Sequence, residues 1–120
     1  MSAIRPQDLH AALSETPSPL VIDVRSAAEF AAGTIAGARN LPWSDGLAER
    51  LASELPRDVR VIFVCGWGHR SVVAAIGMRR EGFRNVAFLD GGLEAWGLAG
   101  KPLVRAISDA EPGVRDLPRQ

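Results

Sequence analysis

The chain has 120 residues, 47% hydrophobic and 23% charged, a balance that suits one globular core and leaves too little chain for a second. Fourteen Lys and Arg offset fourteen Asp and Glu, so the cationic surface expected of a nucleic-acid or anionic-membrane binder is missing. A single cysteine excludes an internal disulfide and any CxxC metal or dithiol site, so neither a metal nor a cofactor is expected and the reducing cytoplasm is the expected setting.

The opening MSAIRPQDLH lacks the basic-then-apolar profile of a secretory leader, and no apolar run reaches membrane-spanning length. Pro6 to Leu13 carries the first helical pattern. Leu20-Val21-Ile22 is a short continuous apolar run, of the kind that forms a strand buried on both faces of a parallel sheet. Ser26-Ala27-Ala28-Glu29 then fits a capping box, in which the serine hydroxyl and the glutamate carboxylate each satisfy a free backbone N–H. The helix it opens runs to Ala32 and stops at Gly33. From Leu47 to Leu55, leucines at 47, 51 and 55 give a third helix one apolar stripe.

Val61-Ile62-Phe63-Val64 is the second strand, and Ser71 to Glu81 the next helix, with Arg79 and Arg80 favourable in its last turn and Gly82 as its stop. Val86-Ala87-Phe88-Leu89 is the third strand, followed by a short helix from Gly92 to Trp96. The segment 105–120 mixes charge with Pro112, Gly113 and Pro118, lacks apolar periodicity, and reads as an irregular or mobile tail. This βαβα alternation specifies an α/β fold with parallel strands. Asp23, Cys65 and Asp90 directly follow the three strand runs, and in a parallel sheet the carboxyl ends share one edge, where open α/β folds place their ligands.

The stretch Val64-Cys65-Gly66-Trp67-Gly68-His69-Arg70-Ser71 places a cysteine between a buried strand and a helix, across a short loop with two glycines. Backbone N–H groups of such a loop converge on one point, and the positive end of the helix dipole adds to them, so an anion is stabilised there. A cysteine at that point is set up as a nucleophile. Gly66 and Gly68 give the loop backbone angles that other residues resist.

Cys65-Gly66-Trp67-Gly68-His69-Arg70-Ser71 resembles the active-site pattern C-x-x-G-x-R-[S/T] of the rhodanese family at every specified position. The likeness extends over residues 4–104. Val21-Ile22-Asp23-Val24-Arg25, Glu29-Phe30 and the run Gly33 to Pro42 are similar to the family's "IDVR…EF…GHI.GA.N.P" segment, and Gly91 to Trp96 with Gly100-Lys101-Pro102 to its C-terminal signature. Thr34 departs from this pattern, in a place where the family commonly has His, outside the loop and therefore bearing on packing more than chemistry. The resemblance implies a single domain with a five-stranded parallel sheet flanked by helices on both faces. It also implies a sulfurtransferase, in which Cys65 takes sulfur from a small anionic donor such as thiosulfate and passes it to cyanide or a thiol, including that of a sulfur-carrier protein. Gly66, Trp67, Gly68, His69, Arg70 and Ser71 are then the substrate-binding residues.

Two alternatives stand beside this one: a regulatory binding module of the same fold, which the intact cysteine opposes, and a cysteine phosphatase or arsenate reductase. Those enzymes hold five residues between cysteine and arginine and cradle a tetrahedral oxyanion, whereas four separate Cys65 from Arg70. A cation at a helix start opposes the dipole, so Arg70 is expected to attract the donor and brace the loop. His69 reads equally as a residue of the cleft mouth and as an acid-base group. Trp67 is expected to wall the pocket and Trp96 to pack structurally, while Trp43 fits either role. Asp23 is expected to cap or turn the chain, Arg25 is favoured as structural over substrate-binding, and His10 and Asp90 read as structural.

Overall fold

The computed structural model describes residues 2–106, so the tail expected at 105–120 lies, beyond residue 106, outside the described residues. In chain order the elements are β1 (Ser2–Ile4), α1 (Pro6–Ala12), β2 (Leu20–Asp23), α2 (Ala27–Ala32), β3 (Arg39–Asn40), α3 (Leu47–Glu54), β4 (Val61–Val64), α4 (His69–Arg80), β5 (Val86–Leu89) and α5 (Gly92–Leu98). The strands form one sheet in the order β1-β5-β4-β2-β3, and every pairing is parallel.

The uninterrupted apolar runs take the middle of this sheet because only there are both faces covered. β2 and β4 are buried at every position, and their side chains alternate between two cores. Leu20, Ile22, Val61 and Phe63 pack with Leu47 and Leu51 of α3 and with Ala74, Ala75 and Met78 of α4. On the opposite face Val21, Ile62 and Val64 pack with Leu9 of α1, Phe30 of α2, and Leu93 and Trp96 of α5. Among the described residues no helix is long and apolar enough to cross a membrane.

The local signals act as their chemistry requires. Ser26 Oγ accepts from the Glu29 N–H and Glu29 Oε1 from the Ser26 N–H, which completes the capping box. Past the end of α4, Gly82 at φ +93° lets its own N–H reach Arg79 O and the Phe83 N–H reach Met78 O, the paired bonds of a Schellman stop. Two strands carry no apolar run. β1 and β3 are edge strands of three and two residues, each paired with one neighbour. α4 also starts two residues earlier than its apolar pattern, because the turn into it falls on Gly68 at φ +95°.

Strand order then locates the site. β2 and β4 are neighbours, but the chain continues from β2 outward to β3 and from β4 the other way to β5. Loops leaving adjacent strands in opposite directions open a crevice at the carboxyl edge, and Cys65 is the first residue past the central strand β4.

Candidate active site

Cys65 is 1% exposed and forms the floor of the crevice. The Gly68 N–H donates to its Sγ at 2.9 Å and the Ser71 N–H at 3.4 Å. Ser71 Oγ, also 3.4 Å from the sulfur, donates to Gly68 O at 3.1 Å, which leaves a lone pair to accept the thiol proton. In the thiolate the same hydroxyl can turn its proton to Sγ. Backbone and side-chain donors therefore converge on one atom, as in sites that hold a single localised negative charge.

The loop is held from beneath by α5. The Leu93 N–H donates to Cys65 O at 2.8 Å and the Glu94 N–H to Gly66 O at 3.0 Å. The Cys65–Gly66 and Gly66–Trp67 peptides are trans, so fixing these carbonyls toward α5 turns the N–H groups of Gly66 and Trp67 to the opposite side of the loop. Gly92 makes this approach possible. It sits at φ +65°, and a Cβ there would lie 2.5 Å from Gly66 O and 2.6 Å from Cys65 O.

Above the sulfur opens a cleft of about 420 Å³ lined by Glu29, Cys65, Gly66, Trp67, His69 and Arg70. Trp67 is 80% exposed and stands on the rim; His69 is exposed beside it. Gly68 and Ser71 are buried behind the sulfur, which they contact directly. The seven residues singled out in the sequence are thus together, with five lining the cleft and two supporting it. A second cleft, of about 440 Å³ between α3 and α4, takes in Trp43 and Arg80 but no cysteine.

Glu29 is the lining residue that the sequence pattern concealed, since its capping role accounted for it locally. Its carboxylate reaches across 41 positions to Arg70, with Nη1 to Oε1 at 3.2 Å and Nη2 to Oε2 at 3.3 Å. The Arg70 bond first, and the Ser26 N–H next, hold the Glu29 carboxyl down at about 2 from its usual 4.5. Glu29 in turn raises Arg70. The sign follows: a depressed carboxyl contributes stability in full above its usual range and loses it as pH falls toward 2. Both side chains are about two-fifths exposed, so this contribution is small, about 0–1 kcal/mol.

Asp23 and Arg25 share the edge but do not line the cleft. Asp23 is fully buried and accepts from the Arg25 N–H at 3.0 Å, from Arg25 Nη2 at 2.8 Å and from Thr34 Oγ1 at 2.9 Å, while Arg25 Nη2 also donates to Gly33 O. The pair ties the β2 loop to the segment bridging Thr34 and Val104. Thr34 thus acts in packing, as its position outside the loop implied. Trp96 is buried with its indole N–H on Pro102 O at 2.8 Å, and His10 rests edge-on against it.

The rhodanese-like domain family model matches residues 5–99. A sulfurtransferase of Allochromatium vinosum is 35% identical over 104 residues, which span 87% of this chain and 95% of that protein. The thiosulfate sulfurtransferase GlpE of Stutzerimonas stutzeri is 34% identical over 93 residues, 78% of this chain and 82% of the relative. Among solved structures, the rhodanese-like domain of the Alr3790 protein from Anabaena sp. has a TM-score of 0.77 at 26% identity, covering 100% of this chain and 91% of that one. With Cys65 at the head of a four-residue loop on the central strand, and with this likeness over nearly its whole described length, the chain belongs to the rhodanese-like domain family of sulfurtransferases.

Proposed function

We propose that the chain carries sulfane sulfur as a persulfide on Cys65, taking it from a small anionic donor such as thiosulfate and handing it to cyanide or a thiol, including the thiol of a sulfur-carrier protein. The convergence of the Gly68 and Ser71 N–H groups on Cys65 Sγ at the floor of an open cleft carries this reading. In the first step the Cys65 thiolate attacks the outer sulfur of thiosulfate, an S–S bond forms on the protein, and the donor's S–S bond breaks with its electron pair leaving on sulfite. In the second, cyanide attacks the outer sulfur of the persulfide, thiocyanate departs and the thiolate is restored. Charge and atoms balance in each step, and neither needs a protonated leaving group.

Gly66, Trp67, His69 and Arg70 would contact donor and acceptor, while Gly68 and Ser71 hold the anchoring sulfur. Four residues between Cys65 and Arg70 make a ring of donors sized for one sulfur atom, and this favours sulfur over a tetrahedral phosphoryl group. The test is paired steady-state kinetics with thiosulfate plus cyanide and with an aryl phosphate. Thiocyanate formation without phosphate release is the expected result; phosphate release without sulfur transfer would contradict the proposal.

A further inference from the structure

The Glu29–Arg70 pair bears on which sulfur donor the cleft accepts. Arg70 contributes the guanidinium of the cleft lining, and its Nη1 and Nη2 donate to the two oxygens of Glu29. Glu29 lines the same cleft as Cys65. It is also anchored, because Oε1 accepts from the Ser26 N–H at 3.0 Å, so it cannot swing away without undoing its own helix cap. Arg25, which follows β2 at this edge, is committed to the buried Asp23 and to Gly33 O. A donor entering the cleft therefore meets a cation already matched by a carboxylate, with Cys65 below.

We infer that Glu29 sets the charge selectivity of the sulfur donor: by occupying Arg70 at the cleft mouth it disfavours a dianionic donor relative to a singly charged one with the same transferable sulfur. This rests on the Cys65 persulfide reading and adds a specificity-determining residue to it. The carboxylate is ionised throughout the neutral range, since Arg70 and the Ser26 N–H hold its carboxyl near 2, so its charge is constant at working pH. A donor with two negative charges is repelled by Glu29 twice as strongly as a donor with one. The chemistry of transfer is unchanged: the Cys65 thiolate attacks the outer sulfur of either donor, and sulfite leaves from thiosulfate where methanesulfinate leaves from methanethiosulfonate.

The test compares thiosulfate with methanethiosulfonate, which replaces one anionic oxygen by a methyl group, on wild type and Glu29→Gln. Glutamine preserves the capping box, since its amide oxygen accepts the same Ser26 N–H, and removes the charge together with the acceptor for Arg70 Nη2. KM for thiosulfate should fall about five- to tenfold and KM for methanethiosulfonate about two- to threefold, with kcat within about twofold for both. Ser26→Ala, which weakens the cap and leaves the charge, should keep the wild-type ratio of the two KM values. Equal changes for the two donors in Glu29→Gln, a rise in both, or the same change of ratio in Ser26→Ala would overturn the inference while leaving the persulfide reading intact. A wild type that gains no sulfur from either donor would overturn both.

Discussion

Replacing Gly92 by alanine tests whether α5 shapes the cysteine loop. The new Cβ would lie 2.5–2.6 Å from Gly66 O and Cys65 O, against the 3.4 Å at which ordinary contact begins. The loop backbone or α5 must therefore yield by about 0.8–0.9 Å, and the bonds from Leu93 N–H and Glu94 N–H to those same carbonyls lengthen or break. Positive φ alone costs about 1 kcal/mol, and two weakened bonds add about 1 kcal/mol each. Gly92→Ala should thus cost about 3 kcal/mol in all, or about 12 °C in Tm for a domain of this size. Gly37 supplies the control, because it sits at φ +85° and a Cβ there would meet nothing within 4 Å, so Gly37→Ala should cost only the conformational part, about 4 °C. Thermal melts followed by circular dichroism give the first readout. The second is the rate of sulfur loading from thiosulfate at a temperature where both variants are folded, which should fall at least about tenfold in Gly92→Ala alone, since displacement of a reacting group by about 1 Å costs up to about a hundredfold. Equal Tm shifts in the two variants, or unimpaired loading in Gly92→Ala, would refute the bracing role.

Other perturbations separate the remaining roles. Arg70→Ala leaves Glu29 unmatched in the cleft and should raise KM for thiosulfate about tenfold, and for methanethiosulfonate less; equal rises would assign Arg70 to loop bracing. A small residue inserted between Gly68 and His69 should weaken sulfur transfer by widening the ring around Sγ, and full transfer by the folded insertion variant would remove the size argument. Asp23→Ala strands Arg25 beside a lost partner and should cost about 3–5 kcal/mol with donor KM nearly unchanged, measured by denaturant melts and kinetics on the folded fraction. The Glu29 carboxyl, followed by its NMR carbon shift, should titrate near 2 in wild type and move up toward 4.5 in Arg70→Ala; a wild-type midpoint above 4 would mean that the ion pair is absent in solution.

Much of the scaffold is legible in the sequence because its signals are local. β4 and β5 match their apolar runs residue for residue, and β2 adds only Asp23. The Ser26–Glu29 box and the Gly82 stop are complete within a few residues of chain, so nothing distant could override them. β1 and β3 were not legible, since edge strands of three and two residues need no apolar run and take their conformation from β5 and β2. Of the site, the cluster from Cys65 to Ser71 could be read because the strand, the loop and the helix start that assemble it are contiguous. Glu29 could not be, because its cap explained it locally and its partner is 41 residues away. For Asp23 and Arg25 the chain position favours a structural role at the active edge, and only the contacts to Thr34 and Gly33 show which partners hold them there.

The intact mass of the protein after incubation with thiosulfate bears most directly on sulfur carriage by Cys65. Wild type should gain one sulfur atom, lose it on treatment with a reducing thiol or with cyanide, and regain it on re-exposure to donor, while folded Cys65→Ser, near-isosteric at a buried position that contacts Ser71, should gain none. Sulfur retained on Cys65→Ser, or a wild type that turns over thiosulfate and cyanide without ever carrying the added atom, would contradict transfer through this cysteine.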